Sequence, residues 1–341
     1  MTGSERWFRP LPCALALPGA RPLAGGFFGF REVEVLARGR APEVLPAEAV
    51  PAIWPGAGAA LERASATPAP LLGLTLDRPR IMGIVNVTPD SFSDGGRFSG
   101  TRQAVAHALA LAQAGADVLD VGGESTRPGS DPVPEAEELD RVLPVIEGLV
   151  AECPVPVSVD TRNAGVMRAA LGLGARMVND ISGLMHDAQA ATAAAGAEAV
   201  CLMHAQGDPK TMQRNPAYDD VLLDVFDWLE ARVAAAEAAG IPRARIMIDP
   251  GIGFGKTLEH NLALIRRLSL FQTLGCAVLL GVSRKGFVGR LSGEAEPGRR
   301  AAGSISAGLA GLGQGAQILR VHDVAETAQA MRVWQAIEEG R

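Results

Sequence analysis

The sequence predicts an α/β protein with a (β/α)8 barrel, preceded by an N-terminal extension. From about residue 77, short β-branched apolar runs alternate with alanine-rich segments of helical character, as in successive βαβ units. Eight such units fill residues 77–341, a length close to the ~250 residues typical of this barrel. A doubly wound open sheet is the structural alternative, but the pattern shows no change of winding direction.

Eight apolar runs are predicted strands. They are 81–86, 117–121, 155–160, 176–179, 198–203, 244–249, 276–282 and 316–321. Helical segments lie between them, among them 102–115, 133–150, 219–239 and 323–338. The carboxyl ends of the strands meet at one end of such a barrel, so the residues that follow each strand are the candidates for function.

Residues 1–76 form the predicted extension. They are rich in proline, and the alternating stretch 28–36 predicts a strand. We expect the extension to pack in part on the barrel domain, residues 77–341. Its sequence indicates no role.

Composition and charge exclude several classes of protein. The chain has 341 residues, 48% hydrophobic and 21% charged, as in ordinary globular proteins. A formal net charge of −6 offers no basic surface to nucleic acid or to an anionic membrane. The apolar runs are shorter than the ~20 residues of a membrane span, and prolines make segment 11–17 a poor signal-peptide core. We therefore expect a cytoplasmic protein.

The four cysteines are widely scattered. Cys13, Cys153, Cys201 and Cys276 show no CxxC spacing, which argues against a disulfide framework and against a structural zinc site. Cys201 and Cys276 lie inside apolar runs and are predicted core residues.

The exits of the first two strands carry an amide and a guanidinium. Asn86 opens the polar loop that ends at Gly96, and an amide can ligate a hard cation or hold a phosphate, although a plain turn also explains it. Arg127 lies in a loop flanked by glycine and proline and suits an anion. A surface pair of Arg127 with Glu124 is the alternative.

Strands three, four and six end in Asp160, Asn179 and Asp249. A carboxylate at the end of an apolar strand costs several kcal/mol to bury unless it has partners. One such residue alone is readily explained as a helix N-cap, but three caps are a weaker explanation. Together, two carboxylates and an amide suit a flat ligand edge rich in N–H groups.

The segment Gly251–Thr257 superficially matches a nucleotide-binding P-loop. That motif needs a glycine where Pro250 stands, so a nucleoside triphosphate site is rejected. The glycines instead let the backbone pass close to a flat ligand, with Phe254 free to pack on it.

The last two strands are followed by cationic residues. Lys285 begins a helix, where the macrodipole disfavours a cation, so we expect it to face a ligand. Alternation puts Arg320 and His322 on the same side, where they can form an anion site at the rim. A pair of Arg320 with Asp323 is the alternative, and His204 after strand five is a weak further candidate.

Together these motifs resemble the dihydropteroate synthase family of folate biosynthesis. The match runs through NVTPDSFSDGG (86–96), GGESTRPGS (122–130), SVDT (158–161), VNDISG (178–183), DPGIGFGK (249–256), GVSRK (281–285) and RVHDV (320–324). It covers essentially all of 77–341. The resemblance implies a (β/α)8 barrel, generally a homodimer, that joins 6-hydroxymethyl-7,8-dihydropterin diphosphate to p-aminobenzoate with Mg²⁺.

The resemblance also implies a role for each candidate residue. The amino-pyrimidinone edge of the pterin would be bound by Asp160, Asn179 and Asp249, its ring acceptors by Lys285 and its face by Phe254. Asn86 would hold Mg²⁺ against the diphosphate, with Arg320, Val321 and His322 completing the anion pocket. Thr126 and Arg127 would close over the reacting centre. Gly286 stands where some relatives carry a serine or a charged residue, so the p-aminobenzoate carboxylate is expected to use N–H groups at the helix start.

Two other functions stay open from the sequence. A pterin-binding methyltransferase barrel would share the Asp160, Asn179 and Asp249 set but has no need for Ser283-Arg284-Lys285 or the Arg320-Val321-His322 segment. A catalytically inactive pterin-binding barrel is the second alternative. Loss of Asn86, Arg127, Lys285 or His322 would indicate it, and all four are present.

Overall fold

The computed structural model describes residues 6–87, 96–125, 130–207 and 210–340. In order along the chain, its strands are β1 (Trp7–Ala14), β2 (Arg21–Pro22), β3 (Phe28–Leu36), β4 (Glu43–Pro46), β5 (Arg80–Asn86), β6 (Val118–Gly122), β7 (Val157–Asp160), β8 (Met177–Asp180), β9 (Ala199–Met203), β10 (Ile246–Asp249), β11 (Ala277–Leu280) and β12 (Ile318–Val321). The α-helices are α1 (Val50–Ile53), α2 (Ala57–Ser65), α3 (Gly96–Ala114), α4 (Glu135–Glu152), α5 (Ala164–Gly172), α6 (Ala190–Ala194), α7 (Val221–Ala238), α8 (Leu258–Arg266), α9 (Gly286–Ser292), α10 (Ala301–Leu312) and α11 (Val324–Glu339).

Strands β5 to β12 close into a parallel barrel, which confirms the predicted fold. β12 pairs with β5, so the sheet has no free edge, and helices alternate with the strands around it. The open-sheet alternative is therefore wrong. Each predicted strand is present, with ends that differ by at most two residues.

The amino end of the barrel is filled by apolar side chains. Leu71, Leu72 and Leu76 pack from below against Met82 and Met247 inside the barrel. These apolar side chains fill the amino end, while Asp160, Asn179 and Asp249 lie at the opposite, carboxyl end of the strands.

The extension folds into a small sheet with its own core. β3 pairs antiparallel with β1, β2 and β4, and Phe30 and Leu61 are fully buried in the core that the sheet forms with α1 and α2. The strand predicted at 28–36 is thereby confirmed. Trp7 and Leu36 reach into the barrel's own core, so the extension packs on the barrel.

Polar contacts also fix the extension to the barrel. Arg9 pairs with Glu34 and donates to Ser269 and to Gln314. Glu34 in turn accepts from Arg267. No helix within the described ranges is both long and apolar enough to cross a membrane.

Candidate active site

Asp160, Asn179 and Asp249 lie together at the carboxyl end of the barrel and are almost fully buried. None of them is an N-cap, because α5 follows Asn163 and α8 follows Thr257. In the register of neighbouring strands, Asn179 is level with Asp160 and Asp160 with Gly122. Gly122 in turn is level with Asn86, so the row extends to the end of β5.

An ion-pair network crosses the mouth of the barrel beneath this row. The guanidinium of Arg320 donates through Nε to Asp120 and through Nη2 to Asp160, each at 2.6 Å. Asn179 donates through Nδ2 to the same oxygen of Asp120 at 3.0 Å. Asp120 therefore connects two of the predicted site residues.

Asp120 lies in the same network and was not among the residues that the sequence motifs predicted. It is fully buried, and its Oδ1 has no hydrogen-bond partner among the described residues. The signal was present, because alternation along β6 places Asp120 on the inward face with Val118. Since a carboxylate only accepts, Asp120 obliges Asn179 to turn its NH2 group toward it and its Oδ1 away.

The cationic residues after the last two strands do not form the Arg320–Asp323 pair that the sequence left as an alternative. Asp323 forms a two-pronged ion pair with Arg284, so it does not hold Arg320. His322 lies beside Ser283, with Nδ1 and Oγ 3.0 Å apart, and Val321 is buried at the end of β12. The segments around Arg284 and His322 are therefore joined by an ion pair and a hydrogen bond at the rim of the barrel.

The glycine loop after β10 is held against the end of β9. Asp249 accepts the N–H of Gly251 at 2.7 Å, which turns the chain sharply. Gly251 has a φ of +68°, and a Cβ there would lie 1.8 Å from the carbonyl oxygen of His204. Only glycine fits both the backbone angle and the close approach.

Lys285 and Phe254 meet across the pocket. The ammonium of Lys285 lies 4.7 Å from the centre of the Phe254 ring and donates to the carbonyl of Ile252. A Cβ on Gly281 would lie 3.6 Å from both Asp249 Oδ2 and Lys285 Nζ, so these two charges face each other across that backbone. Lys285 immediately precedes α9, as predicted.

The weak candidate His204 belongs to the support of the glycine loop. Its Nδ1 is 2.9 Å from the ammonium of the buried Lys256, which also donates to the carbonyl of Phe254 at 3.0 Å. Burial and the neighbouring Lys256 hold the pKa of His204 far below its usual range, so the ring is neutral. A neutral Nδ1 can accept an N–H from Nζ of Lys256, whose own pKa is lowered by burial.

Burial shifts the acids and the base that face the pocket. It raises the pKa of Asp160 to about 7, against the opposing effect of Arg320, and it also raises the pKa of Asp249. It lowers the pKa of Lys285 to about 8, although Asp249 acts in the other direction. Groups poised near neutral pH in one pocket are typical of functional sites.

Two predicted residues lie outside the described ranges, namely Thr126 and Arg127. The alternative partner proposed for Arg127, Glu124, accepts through both oxygens from Arg162. Asn86 is described, at the end of β5.

A model of the pterin binding enzyme family matches residues 82–322, the span that holds this barrel and its polar mouth. The dihydropteroate synthase of Neisseria meningitidis serogroup B is 52% identical over 268 residues, which cover 77% of this chain and 94% of that relative. The chain belongs to the dihydropteroate synthase family, and it is a transferase.

Solved structures agree in fold and sequence. A structure of Xanthomonas albilineans dihydropteroate synthase with 4-aminobenzoic acid has a TM-score of 0.75 and 51% identity, covering 80% of this chain and 99% of its own. Another, in complex with 7,8-dihydropteroate, has a TM-score of 0.71 and 50% identity, covering 78% and 95%.

Proposed function

We propose that the chain condenses 6-hydroxymethyl-7,8-dihydropterin diphosphate with p-aminobenzoate to give 7,8-dihydropteroate and pyrophosphate. The observation that carries this proposal is the convergence of Asp160, Asn179 and Asp249 with Arg320 and Lys285 at the mouth of the barrel. Buried carboxylates and a fixed amide oxygen match the N–H groups of an amino-pyrimidinone ring. Family membership supports the same reaction.

The pterin is proposed to lie flat between the glycine loop and the carboxyl ends of β7 and β8. Asp160, Asp249 and the outward Oδ1 of Asn179 accept from its N–H groups, and Phe254 covers its face. Lys285 donates to the ring oxygen or nitrogen acceptors. Because these groups are buried, each hydrogen bond to charge is stronger here than at a wet surface.

Asn86 is the proposed contact for Mg²⁺. No cluster of three or more His, Cys, Asp or Glu side chains suited to a metal occurs in the described parts of the chain. A single amide oxygen still fits Mg²⁺, which commonly keeps several waters and binds substrate phosphates with few protein ligands. When bound, the ion would supply positive charge against the leaving diphosphate.

The chain's own residues are proposed to promote the reaction by stabilising the charges that develop during it. Following the family's dissociative mechanism, the bond between the pterin methylene and the diphosphate breaks first. The aryl amine then attacks the methylene cation and releases its extra proton to solvent. Asp160 and Asp249 stabilise the cationic pterin, while the Arg320-Val321-His322 segment holds the leaving group. Thr126 and Arg127 are proposed to close the site against water. No strong general base is needed.

The proposed partners are the two small substrates and a second copy of the chain. α10 packs beside α8 and α9 and exposes Ala302, Ser306 and Ala310, while α8 and α9 expose Leu262 and Leu291. This apolar face suits a homodimer, the family's usual state. Sedimentation equilibrium should give a dimer mass, and a monomer would contradict the proposed homodimer.

As the composition predicts, we place the enzyme in the cytoplasm.

Substitution of the two acids tests the pterin pocket. Asp160→Asn and Asp249→Asn should each weaken binding of 6-hydroxymethyl-7,8-dihydropterin about 30-fold or more, since each removes a buried charged acceptor worth roughly 2 kcal/mol. Isothermal titration calorimetry measures the effect. Arg127→Ala is the contrasting variant, expected to slow turnover while pterin affinity stays near wild type. Unchanged pterin affinity in both Asp variants would contradict the assignment of Asp160 and Asp249 to the pterin pocket.

A further inference from the structure

One arginine of the extension forms ion pairs with side chains in the first turns of α7. Arg38, just after β3, donates to Asp224 and, at 2.7 Å, to Asp227, which lie one turn apart on α7. Its guanidinium lies 5.4 Å from the Trp7 ring, whose Nε1 donates to the other oxygen of Asp227 at 2.8 Å. Two ion pairs and a ring contact hold this planar group in one orientation.

Asp224 also fixes the loop that leads into α7. Its second oxygen accepts the N–H groups of Asp219 at 3.0 Å and Asp220 at 3.2 Å. The adjacent Tyr218 donates its hydroxyl to the carbonyl of Gly255 at 2.8 Å. A first set of contacts thus runs from Arg38 to the glycine loop.

A second set of contacts starts from the same turn of α7. Trp228, next to Asp227, packs edge-on against His204 with ring centres 4.9 Å apart. His204 contacts Lys256, which donates to the carbonyl of Phe254 at 3.0 Å. Both sets therefore end on the neighbouring carbonyl groups of Phe254 and Gly255, in the loop that covers the proposed pterin.

We propose that the extension is a brace for substrate binding, and that Arg38 is a positioning residue that holds the glycine loop in place through α7. The inference rests on the proposed function, because the loop is taken to cover the pterin. It assigns a role to a part of the chain that lies before residue 82, where the match to the family model begins. The brace acts on affinity for the pterin and leaves the bond-breaking step unchanged.

The test compares Arg38→Gln with a matched surface variant. Arg176 is exposed to a similar degree, 37% against 40% for Arg38, and likewise makes a two-pronged contact, with Glu198 at the amino end of the barrel. Arg176→Gln therefore removes a two-pronged ion pair of similar exposure far from the site. Asp227→Asn is a second route to loosening the same brace.

Loss of the brace should raise the KM for the pterin diphosphate about three- to ten-fold, a range set by the modest strength of exposed ion pairs. The Kd of 6-hydroxymethyl-7,8-dihydropterin should rise by the same factor, while kcat and the KM for p-aminobenzoate change less than about two-fold. Arg176→Gln should leave all four constants unchanged. A double variant with Tyr218→Phe should show a non-additive effect on pterin Kd, because both residues act on one loop.

Equal pterin affinity in Arg38→Gln, Asp227→Asn and Arg176→Gln would overturn the proposal, even if the melting temperature falls in all three. Additive effects of Arg38→Gln and Tyr218→Phe would also contradict it, since the two residues would then act separately. The Kd is measured without turnover. A wild-type protein that binds the pterin but forms no product would therefore refute the proposed reaction and leave the brace open to test.

Discussion

Asp120 sets the charge balance at the mouth of the barrel. It shares a single oxygen between Arg320 and Asn179, and its other oxygen is buried without a described partner. A buried carboxylate with a free lone pair is costly unless it serves a purpose. Here it fixes the orientation of an amide and a guanidinium before any ligand arrives.

Asp120→Asn should weaken binding of 6-hydroxymethyl-7,8-dihydropterin about ten- to thirty-fold, because Asn179 then loses the acceptor-only partner that orients it, a loss of roughly 2 kcal/mol. Calorimetric titration checks this, and the ligand carries no phosphate that a changed site charge would attract. Ser158→Ala is the control, since Ser158 is the register partner of Asp120 on β7 and its hydroxyl is also buried without a described partner. Equal affinities in the two variants would show that Asp120 has no orienting role.

The shifted pKa values predict a pH optimum for pterin affinity. Asp160, with its pKa raised to about 7, gains a proton as the pH falls below that value and loses its capacity as an acceptor. Lys285, with its pKa lowered to about 8, loses its charge as the pH rises further. Affinity for 6-hydroxymethyl-7,8-dihydropterin should therefore peak between these two values and fall on either side, by up to about ten-fold per pH unit.

Fluorescence titrations across pH 5 to 10 measure this profile. Asp160→Asn should weaken the acid limb, to which Asp249 with its raised pKa also contributes, and should keep the alkaline limb. A flat profile would contradict the assignment. Folding responds in the opposite direction, because a raised folded pKa stabilises the protein below the unfolded value. That contribution from Asp160 is present below about pH 4 and is lost as the pH rises through about 7.

At the scale of elements, local patterns predicted the strands well. The strand predicted at 155–160 begins at Val157, since Pro156 lacks the N–H that a ladder needs. The end of each strand could be seen because a polar residue interrupts the apolar run. Asp160, Asn179 and Asp249 were found in this way.

Contacts between distant elements were beyond the reach of the sequence. Arg320 and Asp120 are 200 residues apart and meet only because β12 closes the barrel against β5. The alternative left open for Arg320 was a pair with its near neighbour Asp323, but Asp323 pairs with Arg284 instead. Spacing in the sequence favours a pair with the nearest carboxylate, whereas closure of the barrel brings Arg320 to Asp120 and Asp160.

The glycine loop offers a prediction at this scale. Gly251→Ala should weaken pterin binding about ten-fold or more, since the new Cβ would overlap the carbonyl of His204 and push Phe254 out of place. Gly172→Ala is the control, because a Cβ there meets nothing within 4 Å. Titration with the pterin, together with melting curves, separates a displaced loop from an unfolded protein. Normal affinity in Gly251→Ala would mean that the loop does not cover the pterin.

At the scale of the whole molecule, the two ends of the barrel differ, with an apolar cluster at one end and a charged network at the other. Leu71, Leu72 and Leu76 lie at the amino end and pack against the apolar side chains inside the barrel. Asp120, Asp160 and Arg320 form a buried ion-pair network at the carboxyl end, where we propose that the pterin binds. The extension adds contacts to α7 and to the segment Leu268–Leu274, on the outside of the barrel.

The most direct test of the central claim is product formation from the two substrates. Purified protein is mixed with 6-hydroxymethyl-7,8-dihydropterin diphosphate and p-aminobenzoate, with and without Mg²⁺, and pyrophosphate and 7,8-dihydropteroate are both quantified. We predict the two products in equal amounts, formed only when Mg²⁺ is present. Tight binding of the pterin diphosphate without either product would contradict the account and identify a pterin-binding barrel that does not catalyse the condensation.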